Sequence, residues 1–464
     1  MVGKGIHARA SAGNATNRHR NSRVIAPQFC RHSTMSPTTT ELKHRRTPSE
    51  VTEFSPDDID LSFPDRKLVG IDGKWYDVTN FVDKHPGGPV IEKFIGKDAT
   101  AVFHAYGHRD FVLKHRKPVG KYVRRYNPID VAFEKLERDL RAKGFFETDW
   151  TWYVGKVAVV VALFVIAVTL VTCFDAWYCH YLGAVALAFF WQQNGFIMHE
   201  FMHSQLFKDF SKDKYGGLFF GTVCFGISAH WWRDEHILHH ALTNIVDVPN
   251  RFIDPQMWEG TWAQNEKMFA LFQTRLQYYA IKIQHFTFVP CVIFVGRLEI
   301  VFDSFILQLE RRWQEWVGWA LHWVWLCTLL SHLPTWREVA IFYAIASSVQ
   351  GIFHFQLILS HYCKMFAHLH EFHEMSWYRY QVQSNMNIDC PLWQDWYYGG
   401  LQFHIEHHLF PTMARNKLRA AAAYVQPLCE EHGIPYDSCC FTTALTKTLS
   451  HLKVAGSHFK LDPR

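Results

Sequence analysis

The chain has 464 residues, 48% hydrophobic and 16% aromatic, with 18 Trp, 38 Phe and a formal net charge of +5. So small a charge supplies no basic stripe and argues against nucleic acid as a partner, whereas the aromatic load suits interfacial belts at a membrane. The 11 Cys include no C-x-x-C pair, only the adjacent Cys439 and Cys440, and read as reduced packing residues rather than a disulfide framework.

From Met1 to about Arg46 there is no apolar periodicity, and the first acidic residue is Glu41. Residues 1–50 read as a disordered extension; an organellar transit peptide would share their Arg, His, Ser and Thr bias, and no apolar core of a secretory signal is present. Residues 57–123 form a small globular unit. Gly73 to Phe81 reads as a turn into a strand, His85-Pro-Gly-Gly88 as a tight loop, and Gly96-Lys-Asp-Ala-Thr100, Phe103 and Gly107-His108 complete the pattern. The pattern resembles the cytochrome b5 haem-binding domain. That resemblance implies a small α+β fold, haem b as cofactor, and His85 and His108 as its axial ligands, with both positions filled so that no outside ligand binds. His104 is a nearby alternative, disfavoured by the Asp98-to-His108 spacing and by Gly107.

Residues 124–156 make a charged linker, partly helical, whose mixed acids and bases read as a solvated helix face. Val157–Phe174 and Leu182–Met198 are apolar runs near the length of about 20 residues that a spanning helix needs. The loop between them carries no Lys or Arg while the linker before them carries many, so the linker faces the cytosol and His199 and His203 emerge there. Gly216–Ile227 is too short to span, and Ala263–Arg312 reads as amphipathic helices on the membrane surface. Trp313–Leu333 and Val339–Ser360 form a second pair of spans around Pro334. An even number of crossings then returns His361 and everything after it to the cytosolic side. The membrane domain extends over 157–430, with an alanine-rich helix at Leu418–Tyr424, and 431–464 reads as a polar tail without chemistry. The expected architecture is a haem domain followed by an all-α integral membrane domain with four transmembrane helices and a cytosolic histidine-rich cap.

The chemistry lies in three clusters: His199 with His203, His236 with His239 and His240, and His404 with His407 and His408. Spacings of three and four residues put each set on one helix face. Neutral imidazole suits iron, zinc, copper or nickel. Eight ligands exceed one tetrahedral zinc and fit two metals of higher coordination. A tethered one-electron donor is useful to a redox metal, so two irons that activate dioxygen lead the reading.

With those residues in view, the chain from Asp57 to Arg415 resembles the membrane fatty acyl desaturases with an N-terminal cytochrome b5 domain, the front-end group; sphingolipid desaturases are also similar. The matching stretches are His199-Glu-Phe-Met-His203, His236-Ile-Leu-His-His240 with Thr243-Asn244, and Asp395-Trp-Tyr-Tyr-Gly-Gly-Leu401 leading to His404-Ile-Glu-His-His408 and Leu409-Phe410-Pro411. The resemblance implies a cytosolic di-iron site, His361 as a further ligand, dioxygen as co-substrate, a tunnel for a fatty acyl lipid, an NADH-cytochrome b5 reductase-like electron donor, and residence in the endoplasmic reticulum. Front-end enzymes usually carry Gln where this chain has His404, with Gln402 two residues earlier. That departure keeps a good iron ligand and opens the position of the double bond. Glu200, Asn244, Asp395 and Glu406 are candidates for orienting the imidazoles. Open alternatives are a sphingolipid long-chain-base desaturase, a lipid hydroxylase or acetylenase and, in a different class, a non-catalytic membrane haem protein.

Overall fold

The structure, a computed structural model, describes residues 65–461 apart from 109–110, 115, 126, 249–251, 258–259 and 308–311. The extension expected over 1–50 and the first residues of the unit expected over 57–123 lie outside the described residues.

A tight hairpin organises the first unit. Strand β1 (Leu68–Ile71) pairs antiparallel with β2 (Lys74–Asp77) across Asp72 and Gly73, both at positive φ (49° and 73°). A turn of that hand matches the twist of its strands and favours Asp-Gly. Strand β3 (Gly120–Lys121) joins the other edge of β2, and the buried Trp75 packs on Tyr122 at 4.8 Å. Two 3-10 turns, Val82–Lys84 and Gly88–Phe94, bracket His85, and helix α1 (Thr100–Ala105) leads to His108.

Helix α2 (Pro128–Ala142) begins where the Asn127 side chain accepts from the Ile129 amide at 3.0 Å, with Pro128 in the first turn. The charge run expected to be a solvated face hides one apolar edge. Phe133 and Leu140, two turns apart, are fully buried, and Phe133 stacks on Tyr378 at 5.3 Å. Glu137, buried between them, is paired with Arg141 at 2.6 Å.

Helix α3 (Trp150–Thr172) starts earlier than the apolar run because Asp149 caps it, accepting from the Trp152 amide at 3.0 Å. Its outward face is apolar, with Val161 55% and Val165 54% exposed. Water offers such a face nothing, since each buried valine-sized side chain is worth about 1.5–3 kcal/mol. Helix α4 (Trp177–Met202) packs along it. A π-helical turn, Leu218–Phe225, ends at Gly226 (φ 92°), where a Cβ would fall 2.6 Å from the His322 ring. Glycine alone fits there, and the reversal launches α5 (Ala229–Ala241), capped by Ser228. A small hairpin of β4 (Val246–Asp247) and β5 (Phe252–Ile253) follows.

The segment expected to lie on the membrane surface contains helices Arg275–Lys282, α6 (Gln284–Phe294) and Gly296–Ile306; Leu276, Tyr279, Phe286 and Phe294 point outward while Ile281, Phe288 and Val292 are buried. Helices α7 (Trp313–Leu330) and α8 (Trp336–Tyr362) stand where the second pair of spans was expected. Among the described residues, α3 and α8 are long and apolar enough to cross a membrane by length and composition. Helix α4 is long but polar within, burying His180, Gln192, Gln193 and Asn194.

The C-terminal part folds back over this bundle. Helix Trp377–Gln383, strand β6 (Asn387–Asp389), α9 (His404–Leu409) and α10 (Arg415–Glu431) come first. Residues 431–464 are not a loose polar tail over their described part: β7 (Ser438–Cys440) pairs in parallel with β6, and α11 (Phe441–His458) packs on α6 and α8. Buried Ala444, Thr448, Leu452 and Ala455 fall on one face of α11, a narrow stripe diluted in sequence by the polar residues between them.

Candidate metal centre and haem cleft

Each histidine cluster sits at the end of a helix that the fold aims at one point. His199 and His203 close α4, His236, His239 and His240 end α5, His361 ends α8, and His404, His407 and His408 span α9. The turn before α9 needs Gly399 and Gly400 (φ 70° and 85°), because a Cβ would lie 2.6 Å from the Phe196 ring and 2.8 Å from the Arg415 carbonyl, respectively.

All nine imidazoles are buried and meet. The Nε2 atom of His199 lies 3.1 Å from that of His407 and 3.3 Å from that of His236, which is 3.0 Å from that of His240. His361 Nε2 lies 2.8 Å from His404 Nε2 and 3.3 Å from His239 Nε2. Two sets therefore form, His199, His203, His236 and His407 in one and His239, His361 and His408 in the other, each with candidate ligand atoms within 4.8 Å of one another. Nitrogens facing each other at these distances can share at most one proton per pair, and His203 Nε2 and His408 Nε2 have no hydrogen-bond partner among the described residues. Burial, reinforced by the neighbouring imidazoles, drives His236, His240, His407 and His408 well below the ordinary histidine pKa, and it pulls His404 down to about 4. Those five rings are held neutral, the protonation state that binds metal. The donor set fits cations at its centre.

The outer nitrogens show what orients the rings. Asp254 Oδ2 accepts from His239 Nδ1 at 2.7 Å, and Gln256 Oε1 lies 2.6 Å from His236 Nδ1. Gln381 Oε1 and Thr243 Oγ1 lie 3.1 and 3.2 Å from His408 Nδ1, and the Leu401 carbonyl accepts from His404 Nδ1 at 3.0 Å. Such partners fix the tautomer and raise ligand basicity.

None of the four side chains expected in that role hydrogen bonds an imidazole. Glu200 accepts from Arg415 Nε and Tyr153 at 2.7 Å each, and Arg415 Nη1 donates to the Gly399 carbonyl at 2.9 Å, so this carboxylate braces α3, α4 and α10 together. Asp395 holds Arg419 and Gln402. Glu406 is held by Asn387 and Tyr436, each at 2.8 Å, and burial pushes its carboxyl up to about 7. Asn244, at φ 56°, donates to the carbonyls of His361 and Met365 and so ties the end of α5 to the end of α8. Among the described residues, the four join helices, turns and strands to one another and bond no ring.

A second pair of imidazoles faces across a cleft in the first unit. The His85 and His108 rings are nearly parallel (16°) with centres 6.2 Å apart. Iron between two ε nitrogens, at roughly 2 Å from each, calls for a spacing of about that size. Each Nδ1 is turned to a backbone carbonyl, His85 to Gly88 at 3.2 Å and His108 to Phe103 at 2.9 Å, which leaves both ε nitrogens as acceptors. Burial holds the His85 pKa down at about 4 and lowers that of His108. His104 turns away to pair with Asp72 at 3.0 Å. These two residues fit a haem.

Residues 175–439 match the family described as fatty acid desaturase, and residues 47–127 match the cytochrome b5-like haem/steroid-binding domain. The chain belongs to the fatty acid desaturase family. Its b5-type domain implies haem, its histidine sets suggest iron, and the enzyme is an oxidoreductase of the b5-fused, front-end type that the motifs pointed to. Similar proteins include the Delta(8)-fatty-acid desaturases 1 and 2 of Arabidopsis thaliana, 28% and 30% identical over 409 and 411 residues, each covering 84% of this chain and 89% of the relative. A Delta(6)-fatty-acid desaturase of Caenorhabditis elegans is 28% identical over 451 residues, covering 84% of this chain and 96% of the relative. The residues that sequence reasoning missed in this desaturase, Asp254, Gln256 and Gln381, lie outside every cluster. The Asp254-Pro255 turn was the one local signal, and it marks a bend without naming its target.

Proposed function

We propose that this desaturase inserts a cis double bond near the carboxyl end of a fatty acyl chain, using dioxygen and electrons that pass through its own haem domain. The observation that carries the reading is the convergence of nine buried imidazoles beside a cavity lined largely by apolar groups, among them Phe196, Met198, Phe225, Ile227 and Leu401, with His199 in its wall. His199, His203, His236 and His407 would hold one iron and His239, His361, His404 and His408 the other, with His240 between the sets. Iron bound there supplies the oxidising power to take hydrogen from two neighbouring unactivated methylenes. Phe196, Phe225 and Leu401 fix the chain beside His199 and keep water out, and Asp254 and Gln256 hold the rings of His239 and His236 in the tautomer that presents Nε2.

His85 and His108 would hold haem b, reduced by an NADH-dependent cytochrome b5 reductase-like donor. Helices α3, α4, α7 and α8 would form four spans, with every cluster on the cytosolic face of the endoplasmic reticulum. The Lys- and Arg-free loop between α3 and α4 supports that orientation. Expression in a host that makes no polyunsaturated lipids, with candidate acids fed and new double bonds located by mass spectrometry, tests the reading. A new cis double bond is expected; an exclusively hydroxylated product, or haem as the only iron in the purified protein, overturns it.

A further inference from the structure

Both turns that carry the haem-cleft histidines are fastened to α5, the helix that bears the second histidine cluster. Arg233, only 8% exposed, donates from Nη1 to the Pro86 carbonyl at 2.9 Å, one residue past His85. The Tyr106 hydroxyl donates to the Ile237 carbonyl at 2.5 Å, two residues before His108. Gly107, at φ 65°, lies against Thr412, so that a Cβ there would sit 3.4 Å from the threonine methyl, just beyond the third cluster. The residue next to Arg233 completes the line: the Trp232 indole stacks on His236 at 4.1 Å and lies 5.2 Å from His199.

We propose that Arg233 and Tyr106 are positioning residues that hold the haem domain docked on α5, with Trp232 linking the Pro86–Arg233 contact to His236 and His199 as the route for electrons. The proposal rests on the functional reading above and deepens it: the donor is the chain's own domain in one fixed pose, not a free partner that collides. A buried guanidinium bonded to a backbone carbonyl suits this task because it fixes distance and orientation together. Electron transfer is steep in distance, so the docked population sets its rate.

The test uses full-length holoprotein with Arg233→Ala, Arg233→Lys and Tyr106→Phe. The haem is reduced beforehand, and its reoxidation is followed by absorbance after mixing with acyl substrate and dioxygen. Loss of a hydrogen bond from a charged donor lowers the docking equilibrium constant by about tenfold. Arg233→Ala is therefore expected to slow reoxidation, by up to that factor, with Arg233→Lys recovering part of the loss and Tyr106→Phe slowed less. Haem spectrum, iron content and single-turnover product made with an added chemical reductant stay as in the wild type. In the resting holoprotein, without acyl substrate or turnover, hydrogen exchange at residues 85–88 and 104–108 rises in Arg233→Ala. Wild-type reoxidation together with unchanged exchange overturns the docking inference. Absence of desaturated product from the wild type overturns the functional reading instead, and the exchange measurement still reports on the docking.

Discussion

His404 and Asp254 show how differently two residues of one site announce themselves. His404 stands three and four residues before His407 and His408, a spacing that places all three on one face whatever surrounds the helix. Asp254 reaches His239 from an irregular segment after α5, and no periodicity connects the two. The clusters were legible because helical spacing is local; the groups that orient them were not, because their contacts are made by tertiary folding. His404→Ala should abolish product. His404→Gln should retain part of it, since the relatives that the motifs resemble usually carry Gln at this position. A wild-type yield from His404→Ala would remove His404 from the ligand set. Asp254→Asn should weaken iron binding by about 10- to 100-fold, the usual cost of losing a carboxylate behind a metal-bound histidine. Competition with a chelator at fixed pH measures it.

At the level of helices and strands, apolar length made the four long helices visible, whereas burial of α2 and α11 depended on neighbours that the local pattern does not name. The brace formed by Glu200, Arg415 and Tyr153 is an example of what such packing does, since it joins α3, α4 and α10 behind the first and third clusters. Glu200→Ala strands a buried guanidinium and should cost about 3–5 kcal/mol. Glu200→Gln keeps acceptor and shape and should cost less, so denaturation midpoints should rank wild type, Gln, then Ala. A second prediction concerns pH. Burial, then the Lys97 charge, holds His373 down at about 4 where its ring meets Phe94 of the haem domain at 5.6 Å. Between pH 6.5 and 4 the unfolded chain binds the proton and the folded one does not, so stability falls as pH falls through that window. His373→Phe should flatten that part of the acid-stability curve; an unchanged slope would show that His373 does not contribute.

Across the whole molecule, four separate stretches of chain supply imidazoles to one buried space, and no single stretch can satisfy them. Removing metal should therefore destabilise the entire fold rather than one helix. Saturation at a thousandfold over Kd adds about 4 kcal/mol to the folded state, and chelation should lower the thermal midpoint accordingly, with full recovery when iron is restored. The same dispersal has a temporal side. Asn387 on β6 and Tyr436 together grip Glu406 in α9, and β7 and α11 follow Tyr436 in sequence. Until Tyr436 and the strand and helix after it have left the ribosome, the third cluster lacks that grip, although the first two clusters emerge long before it. Metal is therefore held only once this segment has folded back, and a truncation before Tyr436, beyond every histidine of the site, would leave a protein that carries all nine imidazoles and still loses its metal.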